Sequence, residues 1–377
     1  MHKGIPCVIM RGGTSKGLYM LEKDLPVPGR ERDDLLLRLM GSPDARQIDG
    51  LGGGASTTSK VAILATSSEQ GIDIDYTFAQ VSVDKPIVSY AGNCGNISAG
   101  VGPFAIECGL VKTNTPTTTV RIFNTNTRKL MIEEIQTPNG VIAYSGDMAI
   151  PGVPGTAAPV KMVFINPSGT MGRGLLPTGN AIDRLVVPGF GALEVSIVDA
   201  SNPLVFVRAA NVGLTGQELP REIDKNPALL DLLEHIRGAA AQLLGLVDQQ
   251  DNAALKSPGI PKLTIVSEPI EYISTLGVTI EAGAFDLLAR MMSMQFAHPT
   301  YAMTGAICTS AAAVIPGSIV QKVRRDNADT SRLRIGQPGG VLETGVTYSF
   351  DSIGNIVIES AYGYRTARLL MKGTAFA

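Results

Sequence analysis

The motif Gly92-Asn93-Cys94-Gly95-Asn96 opens residues 92–105, a fourteen-residue run with four glycines, two asparagines and no charge. Apolar spacing beyond it (Ala99, Val101, Phe104, Ala105, Ile106, Leu110) predicts a helix buried on most sides, fed by a strand over 87–90. Cys94 is therefore expected where a strand enters a helix N-terminus. Backbone N–H groups converge at such a point, the helix dipole is positive there, and a thiol is drawn toward the thiolate. Asn93, Gly95 and Asn96 add amide donors suited to a developing oxyanion. A lone cysteine is ordinarily a small buried residue. The glycine–asparagine flanks argue for chemistry at Cys94, while Cys7, Cys108 and Cys308 keep the ordinary reading.

Lys60 ends a loop of small residues, Gly52-Gly53-Gly54-Ala55-Ser56-Thr57-Thr58-Ser59, and starts the apolar run Val61-Ala62-Ile63-Leu64. Taken alone it reads as a strand-edge lysine on the surface. The hydroxyl neighbours argue for a partly desolvated amine, and desolvation favours the neutral, basic form of an ammonium. A second loop, Arg11-Gly12-Gly13-Thr14-Ser15-Lys16-Gly17, combines glycines, hydroxyls and cations. Neither loop has the spacing of a P-loop or of a dinucleotide fingerprint. Both suit carboxylates, which use the same donors.

The elements that must hold these residues are many short strands. Strands are expected over 5–10, 18–21, 61–65, 75–83, 119–123, 129–135, 141–145 and 160–165, with an amphipathic helix over 31–40 closed by Gly41 and Pro43. Residues 166–180 read as a linker. Beyond it the order resumes: strands at 193–198 and 204–207, amphipathic stretches at 227–237 and 238–247, a strand at 262–266, and an apolar helix from Tyr301 through Val314. Further strands follow at 332–335, 346–350 and 356–360. Strand pair, helix, strand, glycine turn, buried helix and strands thus occur twice, which reads as an internal duplication. Aligning Gly95 with Gly305 sets Thr304 opposite Cys94, so the second half lacks the thiol. A helix as apolar as these must be enclosed, and a bent sheet around each is the economical arrangement.

Totals narrow the function. At 377 residues the chain accommodates two domains, and a net charge of −2 gives no electrostatic case for nucleic acid or an acidic membrane surface. No apolar run approaches the roughly 20 residues that span a bilayer. The start of the chain carries no signal-peptide pattern. Four scattered cysteines and three histidines leave little for a disulfide framework, a zinc site or a Ser-His-Asp triad. No metal is expected, and a soluble, cytoplasmic protein follows. Homo-oligomerisation stays open. The helix at 31–40 and the stretch 227–247 read as structural or oligomer surface, and Arg365 and Arg368 as members of structural ion pairs.

Seven motifs occur together: Met10-Arg11-Gly12-Gly13-Thr14-Ser15-Lys16-Gly17, Gly41-Ser42-Pro43-Asp44, Gln47-Ile48-Asp49-Gly50, Thr58-Ser59-Lys60, Gly92-Asn93-Cys94-Gly95-Asn96, Leu176-Pro177-Thr178-Gly179-Asn180 and Arg365-Thr366-Ala367-Arg368. With them the chain resembles, along nearly its whole length, the PrpF-type methylaconitate isomerase family. That family includes 3-methylitaconate Δ-isomerase and 4-oxalomesaconate tautomerase, and diaminopimelate epimerase is more distantly related. Residues 78–82, 93–104 and 124–127 look closest to the methylitaconate branch. The resemblance implies an α+β, diaminopimelate epimerase-like fold of two pseudo-symmetric half-barrels, each around a central helix, with the active site in the cleft between them. The halves are expected at 1–183, joined by the last strand at about 364–377, and at 184–363.

The resemblance also implies isomerisation without a cofactor, moving an allylic proton in a small unsaturated polycarboxylate. The family's lysine and cysteine fall on Lys60 and Cys94. Diaminopimelate epimerase has a thiol in each half; Thr304 departs from that and favours a Lys/Cys pair. Arg11, Thr14, Ser15, Lys16, Ser56, Ser59, Asn93, Gly95 and Asn96, with Thr178, Asn202 and Thr304 from the other side, are expected to bind carboxylates. An amino-acid epimerase would need a second acid/base in residues 301–308. A non-catalytic accessory protein of an aconitase-like enzyme would need neither Lys60 nor Cys94.

Overall fold

The computed structural model describes residues 4–377. The chain forms two compact units, one running to Val163 and completed by Tyr364–Ala377, the other Phe164–Gly363. The division falls between Val163 and Phe164 rather than after residue 183. Residues 166–175 are tied to the second unit by backbone bonds from Asn166 to Glu359, from Gly169 to Asp199 and from Asp199 to Leu175, so the expected linker already belongs to that unit.

In the first unit the strands are β1 (Ile5–Gly12), β2 (Ser15–Leu21), β3 (Lys60–Thr66), β4 (Ile74–Val81), the short β5 (Val88–Ser89), β6 (Thr117–Asn124) and β7 (Lys129–Gln136), while β8 (Pro159–Ile165) crosses the division. The second unit has β9 (Asp183–Val187), β10 (Gly191–Ala200), β11 (Asn202–Arg208) and β12 (Lys262–Ser267). It continues through the two-residue β13 (Tyr272–Ile273) and β14 (Thr279–Ile280), then β15 (Leu287–Ser293), β16 (Phe296–Ala297), β17 (Leu333–Gln337) and β18 (Gly340–Phe350). The last strand, β19 (Ile356–Ala375), pairs with β18 through its first part and with β1 through its second. Helices α1 (Arg30–Met40), α2 (Gly95–Ser98) and α3 (Val101–Glu107) belong to the first unit. Helices α4 (Pro220–Asp224), α5 (Pro227–Leu243), α6 (Ala253–Lys256), α7 (Met303–Val314) and α8 (Ile319–Val323) belong to the second.

Pairing in each unit follows one rule. β1–β2 is antiparallel, β2–β3 parallel, β3–β4 antiparallel, β4–β6 parallel and β6–β7 antiparallel. β10–β11, β11–β12, β12–β15, β15–β17 and β17–β18 repeat that sequence in order. A parallel pair requires a crossover, and each crossover here carries a helix: α1 and α5 at the first, α2–α3 and α7 at the second. The duplicated pattern in the sequence is a duplicated topology.

Strand alternation sorts the side chains. In the first unit Leu18, Met20, Val61, Ile63, Ala79 and Val81 pack with Leu35, Leu36, Leu39 and Met40 of α1. In the second, Val205, Val207, Leu263 and Ile265 pack with Leu229, Leu232, Leu233 and Ile236 of α5. The opposite face of the first sheet meets α2 and α3: the Tyr19 ring contacts Phe104, and Tyr19 Oη donates to Ile97 O. Every residue of α7 is buried.

Three expectations change. The stretches 227–237 and 238–247 form one helix, α5, capped by Asn226, whose Oδ1 accepts from Leu229 N–H. Gly238 sits inside it because a Cβ there would lie 2.6 Å from Gln250 O. Residues 141–145 are not a strand; only isolated bonds, such as Ala143 N–H to Gln136 O, hold them. The single helix expected after Cys94 is two, α2 and α3. Pro103 has no N–H to offer Ala99 and its ring crowds that carbonyl, so the chain steps at Ala99–Gly100.

Candidate active site

Lys60 begins β3 directly opposite Gln80 of β4, so both side chains share one face. It is the face of Phe78, whose ring centroid lies 5.2 Å from Lys60 Nζ. Lys60 is buried and donates to Gln80 Oε1 at 2.5 Å. The Gln80 amide is locked from its other end, donating to Ser59 O at 2.9 Å and Ser56 O at 3.1 Å. No ion pair involving Lys60 occurs among the described residues. The amine is thus held by a neutral acceptor and a ring face, in a place where water is scarce.

Cys94 is the N-cap of α2, and α2 packs on β1, β2 and β3. The contact is close because Gly17 has no side chain: a Cβ there would lie 2.5 Å from Lys60 O and 3.1 Å from Ile97 Cδ1. Asn93 Oδ1 accepts from Cys94 N–H at 2.6 Å and from Ser98 Oγ at 3.1 Å, which closes the turn bearing the thiol. Asn96 Oδ1 accepts from Arg365 Nε at 2.9 Å, and its Nδ2 donates to Thr14 Oγ1 at 3.0 Å. Burial draws the Arg365 guanidinium down to about 10, against the pull of the Cys94 sulfur. The β1–β2 turn also presses on this helix end. Gly13, at φ +51°, leaves room that a Cβ would take from Asn96 Oδ1.

These bonds place several of the expected residues. Asn93, Asn96 and Ser59 hold the frame: Ser59 Oγ accepts from Gln47 Nε2 at 2.7 Å. Thr14 Oγ1 is tied to Asn96, and Gly95 is the buried first residue of α2. Ser56 contributes its carbonyl. Ser15 has a buried hydroxyl with no hydrogen-bond partner among the described residues, on the face of Gly12. Arg11 and Lys16 stand opposite one another, one register position away from the Gly12–Ser15 pair. They therefore project from the other face of the sheet, away from Lys60, and line a different cavity.

In the second unit, Asn202 Nδ2 donates to Thr304 Oγ1 at 3.2 Å, so two of its three expected residues meet at the start of α7. Thr178 Oγ1 donates to Asp183 Oδ2 at 2.8 Å. Ala302, not Thr304, is the N-cap of α7. Cys308 is fully buried and burial pushes its thiol far above the ordinary range, which suits the inert role expected of it. Two residues bonded to the expected site had no part in it, Gln80 and Arg365. For Gln80 a signal existed, a polar residue at the even positions of β4 that otherwise hold Ile74, Tyr76 and Phe78. Arg365 bonds Asn96. Arg368 has no ion pair among the described residues.

A buried amine and a cap-position thiol suit proton transfer between carbon atoms, one taking a proton and the other giving one. Comparison with known proteins identifies relatives of the chain. A family model described as PrpF protein matches residues 2–377. The 3-methylitaconate isomerase of Eubacterium barkeri is 46% identical, over 99% of this chain and 97% of its own length. A solved structure of a methylitaconate-delta-isomerase, also 46% identical, superposes with a TM-score of 0.80 over 99% of this chain and 95% of its own. A hydroxyproline epimerase from Agrobacterium vitis, 13% identical, covers 100% and 94% with a TM-score of 0.57. At that identity the last likeness concerns the fold alone, and it is the epimerase-like α+β fold expected from the sequence.

Proposed function

From the premise that this chain belongs to the PrpF family, we propose that it is an isomerase moving an allylic proton in a small unsaturated polycarboxylate, with Lys60 and Cys94 as the proton-transfer pair. The substrate is of the methylitaconate, methylaconitate or oxalomesaconate type, and the 46% identity to a 3-methylitaconate isomerase favours the first. A C–H bond beside a carboxylate and a C=C bond breaks, and the electron pair spreads into a dienolate. A new C–H bond forms at the far end of the allyl unit, and the double bond moves by one position. Atoms and charge balance without an oxidant or reductant. One side chain must accept the proton and another must return it, while fixed donors stabilise the oxyanion.

The observation that carries the reading is the setting of Lys60: buried, bonded to a neutral amide, and in no ion pair among the described residues. Cys94 is the complementary group, on the helix that packs against the same strand. Ser15 Oγ, buried and unpartnered, offers a donor to a substrate carboxylate. In deuterated water, conversion of 3-methylitaconate to dimethylmaleate should place deuterium in the newly formed methyl group, read by NMR. Lys60→Met and Cys94→Ala should each lower turnover by about 10²–10⁴-fold with circular dichroism unchanged. Wild-type turnover in either variant would remove that residue from the mechanism.

A further inference from the structure

On the face of the first sheet away from Lys60, Lys16, Arg11 and Arg368 stand in a row across three adjacent strands, β2, β1 and β19, each directly opposite the next. Like charges so placed repel. None of the three makes an ion pair among the described residues. Among the described residues Arg11 is held by carbonyls, Gly13 O at 3.0 Å and Thr366 O at 2.8 Å. Burial, and then the charge of Arg368, draw its guanidinium below the ordinary value.

The row forms one side of a cavity of about 560 Å³, and no carboxylate lines it. Residues 144–157 form the facing wall. That segment is folded on itself, with Met148 and Ala157 exchanging backbone bonds at 3.1 and 3.0 Å, and it is anchored where Tyr144 Oη donates to Glu107 Oε1. The wall adds apolar surface from Met148, Ile150 and Val153. The volume lies in the range of small-molecule sites, and three unneutralised cations against an apolar wall match an anion with a short hydrocarbon frame.

We propose that this cavity is an ancillary site for a small organic polyanion bearing two or more carboxylate or phosphate groups, separate from the site of Lys60 and Cys94. Calorimetric titration of the full chain with citrate, and separately with inorganic pyrophosphate, tests it. Saturable binding of at least one anion is expected, weakened tenfold or more by Arg368→Gln, untouched by Cys94→Ala, and falling steeply as salt is added. Citrate binding more tightly points to a carboxylate ligand, and pyrophosphate binding more tightly to a phosphate. Absence of saturable binding overturns the proposal. So does equal affinity in a folded Arg368→Gln variant, or loss of binding in Cys94→Ala instead, which would return these cations to the catalytic site.

Discussion

Lys60 depends on what its one acceptor is. Gln80 Oε1, 2.5 Å from Nζ, is neutral. Gln80→Glu places a negative charge at that distance and converts the contact to a charge-assisted ion pair. In the direction where Lys60 takes the proton, kcat/KM should therefore fall by about tenfold or more. Gln80→Leu should cost less than Gln80→Glu, and equal kcat/KM for the Glu variant and the wild type would detach Gln80 from Lys60. Lys60 and Cys94 stand out in the sequence through their neighbours, hydroxyls before one and asparagines around the other. The bond of Arg365 to Asn96 does not, because its partner is set by a chain return 269 residues away. Arg11 and Lys16 show what residue type leaves open: their types fit a carboxylate, and alternation along β1 and β2 sets them on the face away from Lys60.

Between residue and fold lies the step from α2 to α3. Pro103 forces it, and the N–H of Gly102, the second residue of α3, is taken by a side chain from β7, Glu133 Oε2 at 2.9 Å. Gly102 permits that contact, since a Cβ would stand 2.6 Å from the same oxygen. Glu133 is fully buried, and its Oε1 has no partner among the described residues. Burial pushes the carboxyl up to about 8, with the Gly102 bond opposing. Tyr19 and Tyr76 are both raised well above the ordinary value, chiefly by burial, then by the Cys94 sulfur and more weakly by Glu133. The consequence for stability has a definite sign. Below the ordinary value of 4.5 the carboxyl is neutral in both folded and unfolded chains. Above it the unfolded chain releases the proton while the folded chain keeps it, so stability falls until about 8 and then levels. Glu133→Gln keeps an oxygen for Gly102 and removes the titration. Urea unfolding at pH 5 and at pH 8.5 should show a loss of a few kcal/mol in the wild type that the variant lacks; parallel losses would clear Glu133. None of this was readable beforehand. The helix was visible as an apolar run, but the break at Pro103 needs a partner strand to satisfy it, and periodicity carries no such information.

At the scale of the whole chain, the repeat of strands and helices was legible because each pairing sequence needs the same crossovers, and crossovers leave long periodic helices in the sequence. The return of the chain's end to its beginning was marked by only one cue, the motif at residues 365–368. β19 gives its first part to the second unit and its second part to β1, paired from Ile5↔Ala375 to Gly12↔Ala367 with a one-residue register shift between Ile9 and Met10. With those residues come Arg365, which holds Asn96, and the Thr366 carbonyl, which accepts from Gly13 N–H and from Arg11. Removing residues 364–377 therefore strips an edge from β1 and a latch from the helix end that carries Cys94, while the pairings β10 through β18 stay intact. An unpaired strand edge is also a template for association. The truncated chain should lose activity by more than about 10²-fold, since displacement near 1 Å suffices for such losses. Limited trypsin digestion should degrade its first unit early and leave a resistant fragment from about 164 to 363. Deleting Phe376 and Ala377 alone, which lie beyond the paired register, should change neither readout. Equal resistance of both units after the longer deletion would mean that β1 holds without its partner, and that Asn96 keeps its place without Arg365.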